Sequence, residues 1–131
     1  ARLIRAAREI NDGKPQWVIE RVAEAAADTR PVIACLGLAY KPDVDDLRES
    51  PSIQVVAGLI EHNLGEVLVV EPFIDTLPAP LQGARLADAS AAVQQADIVV
   101  LLTGHAAFRN LRLSDLDGKI VIDACGLLKT A

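Results

Sequence analysis

The hydrophobic residues of this chain are concentrated in short, uninterrupted runs of strand length. Four such runs and one weaker candidate predict strands at Val32–Gly37, Glu66–Glu71, Ala84–Ala87, Asp97–Thr103 and Lys119–Ala124. Runs without polar interruption are typical of strands that are covered on both faces, as in a parallel sheet. The short Ala84–Ala87 segment is predicted to form an edge strand.

Between these runs, apolar residues recur with the period of a helix. The pattern predicts helices at Ala1–Ile10, from Pro15 to about Asp28, from Pro51 to about His62, and at Asp88–Gln95. The second helix is expected to bury Trp17, Val18, Val22 and Ala25. The third is expected to bury Ile53, Val56, Ala57 and Ile60. Ser50 and Pro51 give the third helix a favourable start, because Ser suits the N-cap and Pro the first turn.

The alternation of strands and helices predicts an α/β fold. We expect a Rossmann-like, doubly wound parallel sheet of about five strands, preceded by helices and with helices on both faces. Numbered along the chain, the five strands are predicted to lie in the order 3-2-1-4-5. Ligands of such sheets bind beyond the carboxyl ends of the strands, where the strand order reverses. That position falls between the first and fourth predicted strands.

Composition and charge exclude several classes of protein. The chain has 131 residues, of which 51% are hydrophobic, enough for one globular core but too few residues for two domains. Its net charge of -5 argues against binding to a nucleic-acid backbone. No apolar run approaches the roughly 18 residues of a membrane span, and no signal peptide opens the chain. The two cysteines are too few for a disulfide framework, so we predict a cytoplasmic protein.

The start of the chain also carries a signal. The whole chain contains no methionine, and its first ten residues have a helical pattern with no N-cap ahead of them. We therefore expect a piece of a longer protein.

The loop between the first strand and the third helix is unusually rich in charge. Lys41 and Arg48 are its two cations, and it ends at the capped amino terminus of a helix, where free amides and the helix dipole favour anions. Arginine can grip a phosphate through two hydrogen bonds, and lysine acts as a point charge. The loop is therefore a candidate seat for a diphosphate. Gly37 is followed by no second or third glycine, so the G-x-G-x-x-G fingerprint is absent.

In this loop the segment GLAYKPDVDDLRESP resembles the signature of the C-terminal domain of the UDP-glucose/GDP-mannose dehydrogenase family. The flanking segments AREINDGKP, LVVEP and ADIVVLLTGH are similar to neighbouring parts of the same domain. The resemblance covers essentially the whole chain. Within the family, NDGKPxWV and VVEPxIxxLP look most like the subfamily that oxidises UDP-N-acetyl-D-mannosamine.

The resemblance implies a division of the chain and a set of missing parts. Residues 1–28 would end a central helical dimerisation segment, and residues 29–131 would form the UDP-binding domain. The full enzyme would be a homodimer that oxidises C6 of a UDP-N-acetylhexosamine with two NAD+. NAD would be bound mainly by an N-terminal domain absent from this chain, and the catalytic cysteine and lysine would also lie upstream. No catalytic residue is therefore expected here.

The resemblance also assigns roles to individual positions. Tyr40 and Lys41 match residues that contact the UDP-sugar, and Arg48 matches an arginine that reaches NAD across the interdomain cleft. Cys125 stands where the family has a basic residue that contacts substrate, so that contact is altered or lost.

Other interpretations of these residues remain open. Cys35 is expected to be a buried, inert thiol, and His105 to form either a ligand contact or a loop hydrogen bond. The acids of the loop lack the glycine and distal glutamate of a calcium site, so no metal is predicted. A domain specific for UDP-glucose or UDP-N-acetylglucosamine is an alternative. A free-standing nucleotide-binding regulatory module and a purely structural assembly domain are further alternatives.

Overall fold

Six parallel strands form one sheet within the part of the chain that the computed structural model describes, residues 2–5, 14–39, 50–108, 111 and 113–125. The strands are β1 Arg2–Arg5, β2 Val32–Leu36, β3 Glu66–Val70, β4 Arg85–Leu86, β5 Ile98–Leu101 and β6 Ile120–Asp123. Their order across the sheet is β1-β6-β5-β2-β3-β4. The predicted α/β class and the relative order of the five predicted strands are confirmed.

The helix predicted for residues 1–10 is wrong where the structure describes that segment. Arg2–Arg5 is a strand that pairs in parallel with β6, placing Leu3 beside Val121 and Ile4 beside Ile122. A short isolated helix is only marginally stable, because few of its hydrogen bonds offset the cost of its first turn. Pairing with the edge of β6 satisfies the same backbone groups and adds apolar neighbours, so the strand prevails over the helical pattern.

Three helices connect the strands: α1 Lys14–Ala26, α2 Pro51–Glu61 and α3 Ala89–Gln95. Short 3₁₀ turns lie at Ala79–Leu81, Ala106–Phe108 and Leu113–Leu116. Asp88 caps α3, since its side chain accepts a hydrogen bond from the Ala91 amide at 2.8 Å. No helix in the described ranges is long and apolar enough to cross a membrane.

The helices divide the core into two layers, one on each face of the sheet. Val18 and Val22 of α1 and Val55 and Leu59 of α2 pack on one face. On the other face lie residues of α3 and of the 3₁₀ turns, namely Ala92, Val93, Phe108 and Leu116. Strands covered on both sides explain why their sequences are continuous apolar runs.

The buried faces predicted for the helices that the structure shows as α1 and α2 are only partly correct. Trp17 and Ala25 are half-buried, and Ala26 is buried in their place. In α2 the fully covered positions include Val55 and Leu59, whereas the predicted Ile53, Ala57 and Ile60 are partly buried. The reason is that α2 lies between the sheet and other segments. A side chain at Gly58 would collide with Ile19 of α1, so more than one stripe of α2 is covered.

Candidate functional site at the carboxyl edge of the sheet

Buried polar side chains gather at the carboxyl ends of the strands, the side of the sheet that we call its carboxyl edge. The polar or charged residues that are buried in the described parts of the chain are Ser50, Ser52, Glu71, Thr103, His105 and Asp123. Each lies at or just beyond the carboxyl end of a strand, or at the start of α2, which begins at that edge. The edge includes the boundary between the paired strands β2 and β5, from which the chain adds further strands in opposite directions. This is the position at which open α/β sheets bind ligands.

Glu71, which directly follows β3, is the centre of the cluster. Its side-chain Oε1 accepts hydrogen bonds from the Leu38 and Ala39 amides at 2.8 and 3.1 Å, and lies 2.8 Å from His105 Nε2. Its Oε2 accepts from the Phe73 amide at 3.3 Å. A buried carboxylate is tolerated only where such donors replace water. Glu71 therefore joins the segments that follow β2, β3 and β5.

Gly37 forms the turn directly after β2 and requires the absence of a side chain. Its φ is +102°, a conformation that side chains disfavour, and an added Cβ would lie 2.5 Å from Thr103 Cβ and 2.9 Å from the Thr103 amide nitrogen. The hydroxyl of Thr103 in turn donates to the Ala39 carbonyl at 2.8 Å. The turns after β2 and β5 are thus in direct contact.

Ser50 precedes α2 as predicted but uses its hydroxyl differently. No hydrogen bond from its side chain caps the helix, and its Oγ donates instead to the carbonyl oxygen of Leu38. Leu38 is therefore held at its amide by Glu71 and at its carbonyl by Ser50. The described residues on either side of positions 40–49, Leu38 and Ser50, are consequently joined to each other.

His105 has no exposed surface and serves as a structural contact within the cluster. Besides its bond to Glu71, its ring lies edge-on to Phe73 and Phe108, with centroid distances of 5.1 and 5.5 Å. Of the two interpretations drawn from the sequence, the structure supports the hydrogen bond. Phe73 is itself 45% exposed.

The predicted binding residues are only partly described. Tyr40, Lys41 and Arg48 lie outside the described residues, and their roles stay predictions. Cys125 is half-buried just beyond β6, at the same edge of the sheet, and its amide donates to Asp123 Oδ1 at 3.2 Å. Its Sγ lies 3.7 Å from the same oxygen. The structure therefore places Cys125 at the same edge of the sheet as Leu38 and Ser50, and its match to a substrate contact stays a prediction.

Cys35 lies in the centre of β2 with no exposed surface. Burial raises the pKa of its thiol to about 12. The thiolate is the reactive form, so this side chain is an inert core residue, as predicted from its place in an apolar run.

Glu71, the central residue of the buried polar cluster, was not singled out by the sequence interpretation. An acidic residue is rarely buried without partners, and this one comes directly after the apolar run of β3. Its position at a carboxyl strand end was a usable signal. Its partners, Leu38 and His105, are 33 and 34 residues away in the sequence, so no local pattern indicates them.

The parallel sheet, with its buried polar cluster at the carboxyl edge, defines a Rossmann-like α/β domain. Comparison with known proteins is more specific. Residues 34–130 match the model of the UDP-glucose/GDP-mannose dehydrogenase family, UDP binding domain. The chain therefore belongs to this family.

Individual relatives agree with this assignment. An NDP-N-acetyl-D-galactosaminuronic acid dehydrogenase of Ralstonia nicotianae is 54% identical over 97% of this chain and 30% of its own length. A UDP-N-acetyl-D-mannosamine dehydrogenase of Yersinia pestis is 44% identical over 97% of this chain and 33% of its length. The solved structure of the UDP-N-acetyl-mannosamine dehydrogenase Cap5O from Staphylococcus aureus has a TM-score of 0.73 at 28% identity, covering 94% of this chain and 29% of that one. The chain thus spans about a third of these relatives.

Proposed function

We propose that this chain binds the nucleotide part of a UDP-N-acetylhexosamine for an NAD-dependent 6-dehydrogenase of which it is the C-terminal part. The observations that support this most directly are the family match and the contacts of Leu38, which is bonded to Glu71 and to Ser50 on either side of the sequence segment that carries Lys41 and Arg48. Residues 1–28 would then end the central segment and residues 29–131 would form the binding domain. The relatives are about three times as long, which supports a separate catalytic part.

In this proposal the chain supplies binding energy and orientation. Lys41 would neutralise the diphosphate and Tyr40 would contact the UDP-sugar, so that C6 is held in reach of groups outside the chain. Arg48 would extend toward NAD across the cleft and make closure depend on the cofactor. Cys125, beside Asp123 at the same edge, would replace a basic contact and thus weaken that side of the site.

The turn after β2 does not fit the diphosphate of NAD. It has only one glycine, and the Leu38 and Ala39 amides are already bonded to Glu71. NAD, which supplies the hydride acceptor when bound, would therefore be held mainly by an N-terminal domain. A homodimer formed through the central segment and a cytoplasmic location complete the proposal.

The identity of the substrate's sugar is the most specific part of the proposal. The motifs NDGKPxWV and VVEPxIxxLP favour UDP-N-acetyl-D-mannosamine, as does the Yersinia pestis relative. The higher identity of the Ralstonia nicotianae relative favours a second candidate with an N-acetylgalactosamine configuration. Turnover of the two UDP-sugars by the full-length protein, with UDP-glucose and UDP-N-acetylglucosamine as comparisons, decides between them.

Titration of the chain with UDP and with GDP tests nucleotide binding itself. We expect UDP to bind, and Lys41→Ala to raise its Kd about tenfold or more, because a hydrogen bond between charged groups is lost. Arg85→Ala is the matched control, because it removes a cation that pairs with Glu66 at the opposite edge of the sheet. An unchanged Kd for Lys41→Ala would show that the diphosphate is bound elsewhere. A gene that encodes no NAD-binding domain upstream of this chain would favour the free-standing regulatory module.

A further inference from the structure

The turn after β2 presents two consecutive backbone amides to a single acceptor. The amides of Leu38 and Ala39 both point at Glu71 Oε1, at 2.8 and 3.1 Å. Consecutive N–H groups that converge in this way form an anion-binding nest. In α/β folds that bind dinucleotides, amides of the first strand-to-helix turn hold the phosphates of the ligand.

Here the nest is occupied by a group of the protein itself. Glu71 is 3% exposed, and the oxygen that fills the nest also accepts the bond from His105. Its other oxygen accepts from the Phe73 amide, so the carboxylate has donors on both sides. A ligand phosphate would have to displace a negative charge that four described hydrogen bonds hold in place.

We propose that Glu71 is a positioning residue that acts as an internal anion in the nest after β2, excluding the ligand's diphosphate from the Leu38 and Ala39 amides and holding these two residues in place. The diphosphate then has to be bound by groups other than these two amides. This agrees with the absence of the glycine fingerprint, because the amides of the first turn after the strand are already occupied. The inference rests on the proposed function and deepens it.

The first test needs no nucleotide. Hydrogen exchange of the Leu38 and Ala39 amides is measured by NMR in the full-length protein and in Glu71→Gln, which keeps the shape of the side chain but removes its charge. We expect exchange to become about tenfold faster or more at these two amides, while the Val69 amide inside β3 is unchanged. Glu66→Gln, at the other end of β3, is the matched control and leaves both amides protected. Equal exchange in Glu71→Gln and the unaltered protein would overturn the proposal.

The second test places an anion back in the nest. In Glu71→Ala, added formate should slow exchange at Leu38 and Ala39 in a saturable way and lower the KM for the UDP-sugar toward its original value. Formate should have no such effect on the unaltered protein, whose nest is occupied. Absence of this rescue in a folded Glu71→Ala protein contradicts the role of Glu71 as an anion. If that variant does not fold, the exchange rates of Glu71→Gln decide alone.

The third test concerns the ligand. Glu71→Gln should raise the KM for the UDP-sugar about tenfold and change kcat at saturation less than threefold, because loop position affects binding rather than chemistry. A diphosphate found hydrogen-bonded to the Leu38 and Ala39 amides in a UDP complex would overturn the proposal. If the unaltered protein binds no UDP, the proposed function fails, and the exchange and formate measurements still decide the role of Glu71.

Discussion

At the amino edge of the sheet, the described polar side chains that join neighbouring turns are exposed or partly exposed, whereas those at the carboxyl edge are buried. Asp97, just before β5, accepts a hydrogen bond from the Val32 amide at 2.9 Å, and this contact is exposed. Arg85 and Glu66 form an exposed ion pair at the same edge. Such contacts close the turns and can be replaced by water, so their loss has a small effect.

The carboxyl edge has the opposite character. Glu71, Thr103 and His105 are each at most 3% exposed and bond to residues more than 30 positions away in the sequence. Burying these groups has a desolvation cost that an apolar core would avoid. Natural proteins accept such a cost mainly at functional sites, such as those that bind a ligand. The difference between the edges therefore indicates the functional edge without any ligand present.

The largest expected effect is a difference in stability loss between substitutions of two glycines, one at each edge of the sheet. Gly37 and Gly118 both have positive φ, but only Gly37 lacks room for a side chain, since nothing lies within 4 Å of a Cβ on Gly118. We expect Gly37→Ala to lower the free energy of unfolding by about 3 kcal/mol or more. Gly118→Ala should cost about 1 kcal/mol, from its backbone conformation alone. Urea unfolding measures both, and equal losses would show that the turn after β2 is not constrained by Thr103.

A threonine at each edge gives the next effect. Thr103→Val removes the buried bond to the Ala39 carbonyl with little change in shape, and should cost about 2 kcal/mol. Thr29, at the end of α1, donates a comparable bond to the Ala26 carbonyl at 2.6 Å, but its side chain is partly exposed. Thr29→Val should cost less than about 1 kcal/mol, because water replaces the hydroxyl. If Thr29→Val lowers the free energy of unfolding as much as Thr103→Val does, burial does not explain a difference between the two edges.

The thiol of Cys35, in the strand between the two edges, predicts a dependence of stability on pH. Its pKa is raised to about 12 in the folded chain, whereas an unfolded cysteine ionises at about pH 8.5. Between these values only the unfolded state loses the proton, so rising pH favours unfolding by about 1.4 kcal/mol per pH unit. Urea unfolding from pH 7 to 11 should show a shallower decline for Cys35→Ala. Val69→Ala, which removes core volume without a titratable group, should keep the original slope, and identical slopes for all three proteins would contradict the prediction.

Strands were more predictable from this sequence than helix faces. The runs at β2, β3, β5 and β6 are apolar because both faces of the sheet are covered, a condition visible in any window of five residues. The helical pattern of residues 1–10 was misleading because Leu3 and Ile4 also suit an edge strand beside β6. Whether a strand was available to pair with residues 2–5 depended on residues 120–123, which lie far outside the pattern of residues 1–10.

The site was predictable in place but not in structure. The strand alternation indicated the carboxyl ends of β2 and β5, where the buried polar cluster lies, and anion binding by the charged loop stays a prediction. The residues that hold the loop in position were not found, because the contacts of Glu71 join three segments that are distant in sequence. Ser50 shows the same limit. Its place before α2 was evident, yet its hydroxyl bonds to Leu38 across the loop rather than to the helix.

The smallest expected effect is at the amino edge, where the ion pair of Arg85 and Glu66 joins β4 to β3. Both side chains are at least half exposed, so solvent and salt screen the attraction. We expect Glu66→Gln to change the free energy of unfolding by less than about 0.5 kcal/mol, and 0.5 M salt to remove that change. Urea unfolding at low and high salt measures it, with Glu71→Gln, directly after the other end of β3, as the buried counterpart. A loss for Glu66→Gln that equals that for Glu71→Gln would mean that the two edges do not differ in how their acids are used.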